Sequence, residues 1–166
     1  MSTAVNAVAA AVAWLEHRPF AIEIAQSTWL FPIIETVHVL ALTLVVGSVF
    51  VMDSRLLGLT GRDRSVSEVI AGALPWTWSA FAVACGAGGL LFSSKATTYY
   101  VNWPFRIKLV CLALAGVNML VFHLVTARDM ASWDRGAPPP AARAAAIVSL
   151  TLWVVIVASG RWIGFT

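Results

Sequence analysis

A chain of 166 residues that is 60% hydrophobic and 11% charged, with a net charge of +3, lacks the surface of a water-soluble domain, in which about a quarter of the residues are charged. Its mean hydropathy of +0.83 points to lipid as the solvent. The basic residues are scattered and form no run, so the positive balance does not imply nucleic acid as a partner. One membrane domain covering 1–166 is expected.

Residues 3 to 17 are rich in Ala and Val, and Val5, Val12, Trp14 and Leu15 fall near helical spacing. They predict a short helix lying on the membrane surface, without the positive leading segment of a secretory signal. It ends at Arg18-Pro19, because proline disfavours helix in the residue before it. The first span runs from about 29 to 52 and closes on Asp53-Ser54-Arg55, charges expected at the membrane surface. After a polar loop, Ser65-Val66-Ser67-Glu68 reads as a capping box opening a second span over about 69 to 92. Pro75 lies in its first turns, and its centre is Cys85-Gly86-Ala87-Gly88-Gly89. Helix packing by itself explains such a run. The alternative is a face turned to a flat ligand, with Gly86 and Gly89 against it. Tyr99, Tyr100 and Trp103 mark an interfacial connector. Asn102 and Pro104 start the third span, about 104 to 126. A polar loop ending in three prolines leads to the fourth, about 141 to 163. The fold class expected is therefore all-α: an integral membrane four-helix bundle with an N-terminal interfacial helix.

Loops one and three carry Arg55, Arg62, Arg64, Arg128, Arg135 and Arg143. On the opposite side Arg18 and Lys95 remain once Arg106, Lys108 and Arg161, in or beside apolar spans, are set aside. Cytoplasmic loops carry the excess of basic residues, so both termini are expected to be extracytoplasmic.

Ionisable groups inside a bilayer are costly and mark function. At about 1.5 Å rise per residue, Glu35 lies roughly 9 Å and His38 roughly 13 Å below Trp29, and Lys108 roughly 7 Å below Trp103. Arg161 is a turn from the end of the fourth span. Glu35 and His38 are three apart and share a helix face. Two readings follow: an ion-paired network that fixes helix register, or a ligand or cofactor site. In the second, Arg161 holds Glu35 or an anionic ligand bidentately, and His38 ligates a metal or carries a proton. Asp53, Arg55, His123 and Asn118 form a second set at the inner surface, read as anchoring. His38 and His123 differ in depth by roughly 16 Å, so one metal cannot take both. A haem on His38 would need His17 folded over it, or Lys108, as its second ligand. Cys85, Cys111 and the inner methionines are read as lying away from the level of His38. No hydrolase, phosphate-binding or metalloprotease motif is present, and no catalytic residue is assigned.

His38-Val-Leu-Ala-Leu-Thr-Leu-Val-Val-Gly47 followed by Arg55-Leu56 resembles the first helix of HemJ-type protoporphyrinogen oxidases. Trp103-Pro-Phe-Arg-Ile-Lys108-Leu109 resembles a later helix start of that family, and the same helix pair resembles the CopD copper-resistance membrane proteins. About 45 residues are covered. Ser54 stands where HemJ proteins have proline. Gly160-Arg161-Trp162-Ile163-Gly164 is similar to the ending of small bacterial membrane proteins of this type. The HemJ resemblance implies a bacterial inner-membrane redox protein holding haem b on His38, with Lys108 as second ligand or propionate partner. Arg106 and Arg161 would then pair with propionates. A quinone or other membrane subunits would be its partners beside lipid. The rivals are CopD-like copper handling at His38 and a structural subunit of a larger membrane complex.

Overall fold

In a lipid-soluble chain every backbone amide must find its partner within the protein, and helices do this locally. The computed structural model describes residues 2–61 and 63–165, with side chains from residue 6 onward. Arg62, counted above among the loop charges, and the side chain of Val5 lie outside what is described. Among the described residues there are helices and no strands. Four helices are long and apolar enough to cross a membrane. The protein is an all-α, multi-pass membrane bundle.

Two helices precede the spans: α1, Ser2–Glu16, and α2, Pro19–Gln26. The break between them falls at Arg18, as the following proline requires. The first span is α3, Leu30–Leu56, and the second α4, Val66–Ser94. A six-residue helix, α5, Ala96–Val101, lies within the interfacial connector expected there, and α6, Trp103–Leu124, is the third span. After a 3₁₀ turn, Thr126–Asp129, and α7, Met130–Trp133, the fourth span is α8, Pro140–Trp162. The starts behave as their residues dictate. Ser65 Oγ accepts from the Glu68 amide and Glu68 Oε2 from the Ser65 amide, both at 3.2 Å, a complete capping box. Asn102 Oδ1 accepts from the Phe105 amide at 3.0 Å and caps α6.

The spans form a row, α4–α3–α8–α6, in which each packs on the next. Small side chains set the closest approach. Ala41, Val45 and Val49 of α3 meet Ala80, Ala84 and Ala87 of α4, all buried, the close backbone contact that small residues permit between membrane helices. Val45, Val49, Ala80, Trp153 and Ile156 make the mid-membrane core. Leu56, Val66, Phe122, Ala142 and Ala146 make a second core where the α3–α4 and α6–α8 loops lie; this is called the loop end below, and the opposite one the terminal end. Outward positions such as Leu40, Phe50, Leu120 and Val154 are exposed and suit lipid. The hydroxyls of Thr36, Thr43 and Thr151 bond the carbonyls four residues back, so they need no water.

The ends of the row, α4 and α6, do not pack along their length. At the terminal end three stacked rings bridge them: Phe92 and Phe105 at 5.3 Å between centroids, with Tyr99 of α5 against both. Towards the loop end the seam widens into a cavity of about 200 Å³. On the terminal end α1 packs against α5 and α4. Glu16 Oε2 accepts from the Thr97 amide at 2.7 Å and from its hydroxyl at 2.5 Å.

The expected surface position of Asp53-Ser54-Arg55 is corrected. Helix α3 continues one turn further than about residue 52, and all three side chains are buried within the loop end. Arg55 Nε donates to the Arg64 carbonyl at 3.0 Å and its Nη2 to that of Asp134 at 3.4 Å. Gly58 and Gly61, at φ +73° and +65°, let the loop turn back over this guanidinium; both occupy the left-handed region that only glycine enters freely.

Candidate functional site

Helix α3 carries His38 one turn before the stripe that packs on α4, so its ring enters the bundle rather than lipid. His38 Nδ1 lies 2.8 Å from the Ala84 carbonyl. A carbonyl only accepts, so Nδ1 carries the proton and Nε2 presents its lone pair. The ring rests on Gly88: a Cβ built there would stand 2.9 Å from His38 Cε1. Glycine is thus the only residue that leaves the imidazole its place without a shift.

Lys108 arrives from α6. Its Nζ lies 3.5 Å from His38 Nε2, and its stem crosses Gly160 of α8, where an added Cβ would be 3.6 Å from Nζ. Four helices therefore build one pair: α3 and α6 supply the two nitrogens, α4 and α8 the glycines that let them meet. The pair sits between the aromatic stack above and the cavity below. The arrangement offers an unprotonated imidazole nitrogen and an amine facing each other within an apolar bundle. That is a donor pair for a metal centre, or the two ends of a proton exchange.

Other residues singled out in the sequence lie elsewhere. Glu35 is exposed and forms no ion pair among the described residues. Arg161 is exposed and covers the Phe165 ring at 5.0 Å, so the bidentate Arg161–Glu35 pair does not form. From α8 it is Gly160, not Arg161, that reaches the pair. Arg106 is exposed, with Nε on the Tyr100 carbonyl at 3.1 Å. Gly86 and Gly89 are exposed, with nothing within 4 Å of a Cβ at either; the glycine that meets His38 is Gly88, between them. One hydrogen bond shows why. The Ala84 carbonyl fixes the level of His38 on α4, and Gly88 is one turn above Ala84 on the same face. The same bond puts Cys85 at the level of His38, correcting the depth given it above. Its side chain, however, is exposed.

His17 does not fold over His38; its Nδ1 donates to the Ala13 carbonyl at 2.7 Å within α1. At the loop end, Asn118 Nδ2 donates to the Ala145 carbonyl at 3.0 Å, and His123 Nδ1 to that of Met119 at 2.9 Å. Both bonds hold helix to helix or cover a helix end.

The sequence of these four spans matches one family along its length. The chain belongs to DUF6644, a family of unknown function, which matches residues 28–166. The DUF6644 match takes in all four spans and both members of the pair, and leaves α1 and α2 outside it. No curated protein and no solved structure matches the chain.

Proposed function

We propose that this DUF6644 protein is a membrane redox protein that binds haem b on His38, with Lys108 as second axial ligand or propionate partner. The observation that carries the reading is the state of His38. A ring nitrogen that donates to a backbone carbonyl fixes the tautomer and aims the other nitrogen as a ligand. Here the Ala84 carbonyl does so.

The donor set fits a haem better than a bare ion. Among the described residues no three His, Cys, Asp or Glu side chains gather to hold a metal. A haem brings four nitrogens of its own and asks the protein for one or two axial ligands. His38 and Lys108, whose Nε2 and Nζ are 3.5 Å apart, are the residues that would hold it. CopD-like copper handling would draw on thiolate or thioether donors, and the thiol at this level, Cys85, has an exposed side chain.

Bound haem would supply one-electron chemistry. The chain's own part is to orient the imidazole, to keep water from it beneath the Phe92–Tyr99–Phe105 stack, and to hold Lys108 against it. Exposed Arg106 and Arg161 lie at the same end, within range of propionates that emerge there. The arginine-rich loop end faces the cytoplasm of a bacterial inner membrane on this reading, and both termini face out. A quinone or a neighbouring membrane subunit would be the redox partner.

Absorption spectra of protein purified after expression with ample haem test the proposal. Oxidised and dithionite-reduced samples should show a Soret band and a sharpened visible band, both lost in His38→Ala. Lys108→Met should keep the pigment and shift its maxima if the amine is a ligand. Wild-type protein without a Soret band, carrying copper by metal analysis, overturns it.

A further inference from the structure

Asp53 is 6% exposed, and its Oδ2 has no hydrogen-bond partner. It lines the cavity of about 200 Å³ at the loop end. A buried carboxylate oxygen left unsatisfied is unfavourable, far more so if the group is ionised. Among the described residues none supplies a counter-charge. Arg55, two residues on, points some 200° away around the helix and spends its donors on the carbonyls of Arg64 and Asp134. No Lys or Arg is among the described residues lining the cavity; its one basic group is His123, committed through Nδ1 to the Met119 carbonyl. Ser149 hydrogen-bonds the Asp53 carboxyl itself, and the polar neighbours Thr77 and Asn118 are engaged with the Ala73 and Ala145 carbonyls, which leaves Oδ2 without a partner.

The rest of the wall is apolar and aromatic, including Trp78, Phe81 and Trp153. Ring faces attract cations within about 6 Å. Because α4 and α6 stand apart here, the cavity communicates with the lipid side of the bundle. A site with one free carboxylate oxygen, aromatic walls, no Lys or Arg among the described lining residues and a lipid-facing mouth has a complementary ligand: an apolar molecule bearing an ammonium group.

We propose that this cavity binds a lipophilic primary ammonium ion, whose N–H donates to Asp53 Oδ2 while its hydrocarbon part lies against Trp78, Phe81 and Trp153. The site shares no residue with the His38–Lys108 pair and stands whether or not haem binds there. Charge decides selectivity: an alkylammonium is preferred over the alcohol of the same length, because only the former neutralises the carboxylate.

The test is equilibrium dialysis of radiolabelled hexylammonium against nanodiscs with and without the full-length protein, with hexanol as competitor. Saturable binding above empty nanodiscs is expected, displaced weakly by hexanol. Asp53→Asn, which keeps the shape and removes the charge, should bind about tenfold more weakly. Gly116→Phe is a second variant. Gly116 lines the cavity, and a Cβ there meets nothing within 4 Å. It should abolish hexylammonium binding by filling the space, with unchanged thermal unfolding. Equal binding to wild type and Asp53→Asn, or to wild type and a folded Gly116→Phe, overturns the proposal. So does displacement by hexanol at the same concentration as by unlabelled hexylammonium.

Discussion

The bundle meets the cost of burying charged groups differently at its two ends. At the terminal end His38 and Lys108 are packed in: glycines on α4 and α8 make room, a carbonyl takes the imidazole proton, and the two nitrogens face each other. At the loop end Arg55 is treated likewise, wrapped by a loop whose carbonyls absorb its donors. Asp53, on the same helix turn, is not: it faces a void with one oxygen unpartnered. Where the protein itself completes the polar contacts, substitution should only harm. Where it leaves them incomplete, removing the group should help the empty protein.

The sharpest break of the first kind is Gly88→Leu. A side chain there displaces the His38 ring and parts α3 from α4, and overpacking of this sort costs about 3 kcal/mol. Thermal unfolding in detergent should show it, and any pigment that depends on His38 should go with it. Arg55→Met comes next. It keeps most of the buried stem but strips donors from the Arg64 and Asp134 carbonyls, a loss of about 2 kcal/mol. Asp53→Leu should move the other way, raising the stability of ligand-free protein by about 1 kcal/mol by removing an unsatisfied oxygen. A fall in midpoint for Asp53→Leu would show that the carboxylate is completed within the bundle after all, and the contrast between the ends would be lost.

The spans and their caps were legible because each rests on local chemistry. Apolar length gives a span, Ser65 and Glu68 give a capping box, and a fixed rise per residue gives depth. Depth made Lys108 the nearest candidate partner for His38. Which way a side chain turns at that depth was not legible. Glu35 and Arg161 lie on the same stretch of membrane yet point outward, and rotation about a helix axis is set by packing partners that hydropathy does not name. The stripe Ala80, Ala84, Ala87 and Gly88 held that information. Read at helical spacing it marks the α3-facing side of α4 and selects Gly88 over Gly86 and Gly89. Asp53 was assigned to the surface because an acidic-basic pair at a span end ordinarily belongs there. Only the return of the loop over Arg55, made by Gly58 and Gly61, draws both inside.

The smallest expected effect concerns a device both ends share. At each end a carboxylate from one segment accepts the amide and hydroxyl of the second residue of another helix. Asp134 takes both from Ser67 of α4 at 2.7 Å, and Glu16 takes both from Thr97 of α5. These bonds hold each carboxyl below the usual carboxylate range, the amide of Ser67 leading for Asp134 and the hydroxyl of Thr97 for Glu16. A carboxyl more acidic in the folded than in the unfolded chain stabilises the fold above its unfolded value, about 4, and loses that contribution as pH falls through its folded one. Both groups are partly exposed to solvent, so the shifts should be felt locally. Amide hydrogen exchange, corrected for intrinsic rates, should show α1 loosening from α5 below about pH 4. Glu16→Gln should be looser at neutral pH and lose the acid dependence. Asp134→Asn should do the same at the first turn of α4 and leave α1 unchanged. Acid loosening of α1 that persists in Glu16→Gln would mean that the terminal end is held by its apolar contacts, and that the shared device matters only where it closes the loop over Arg55.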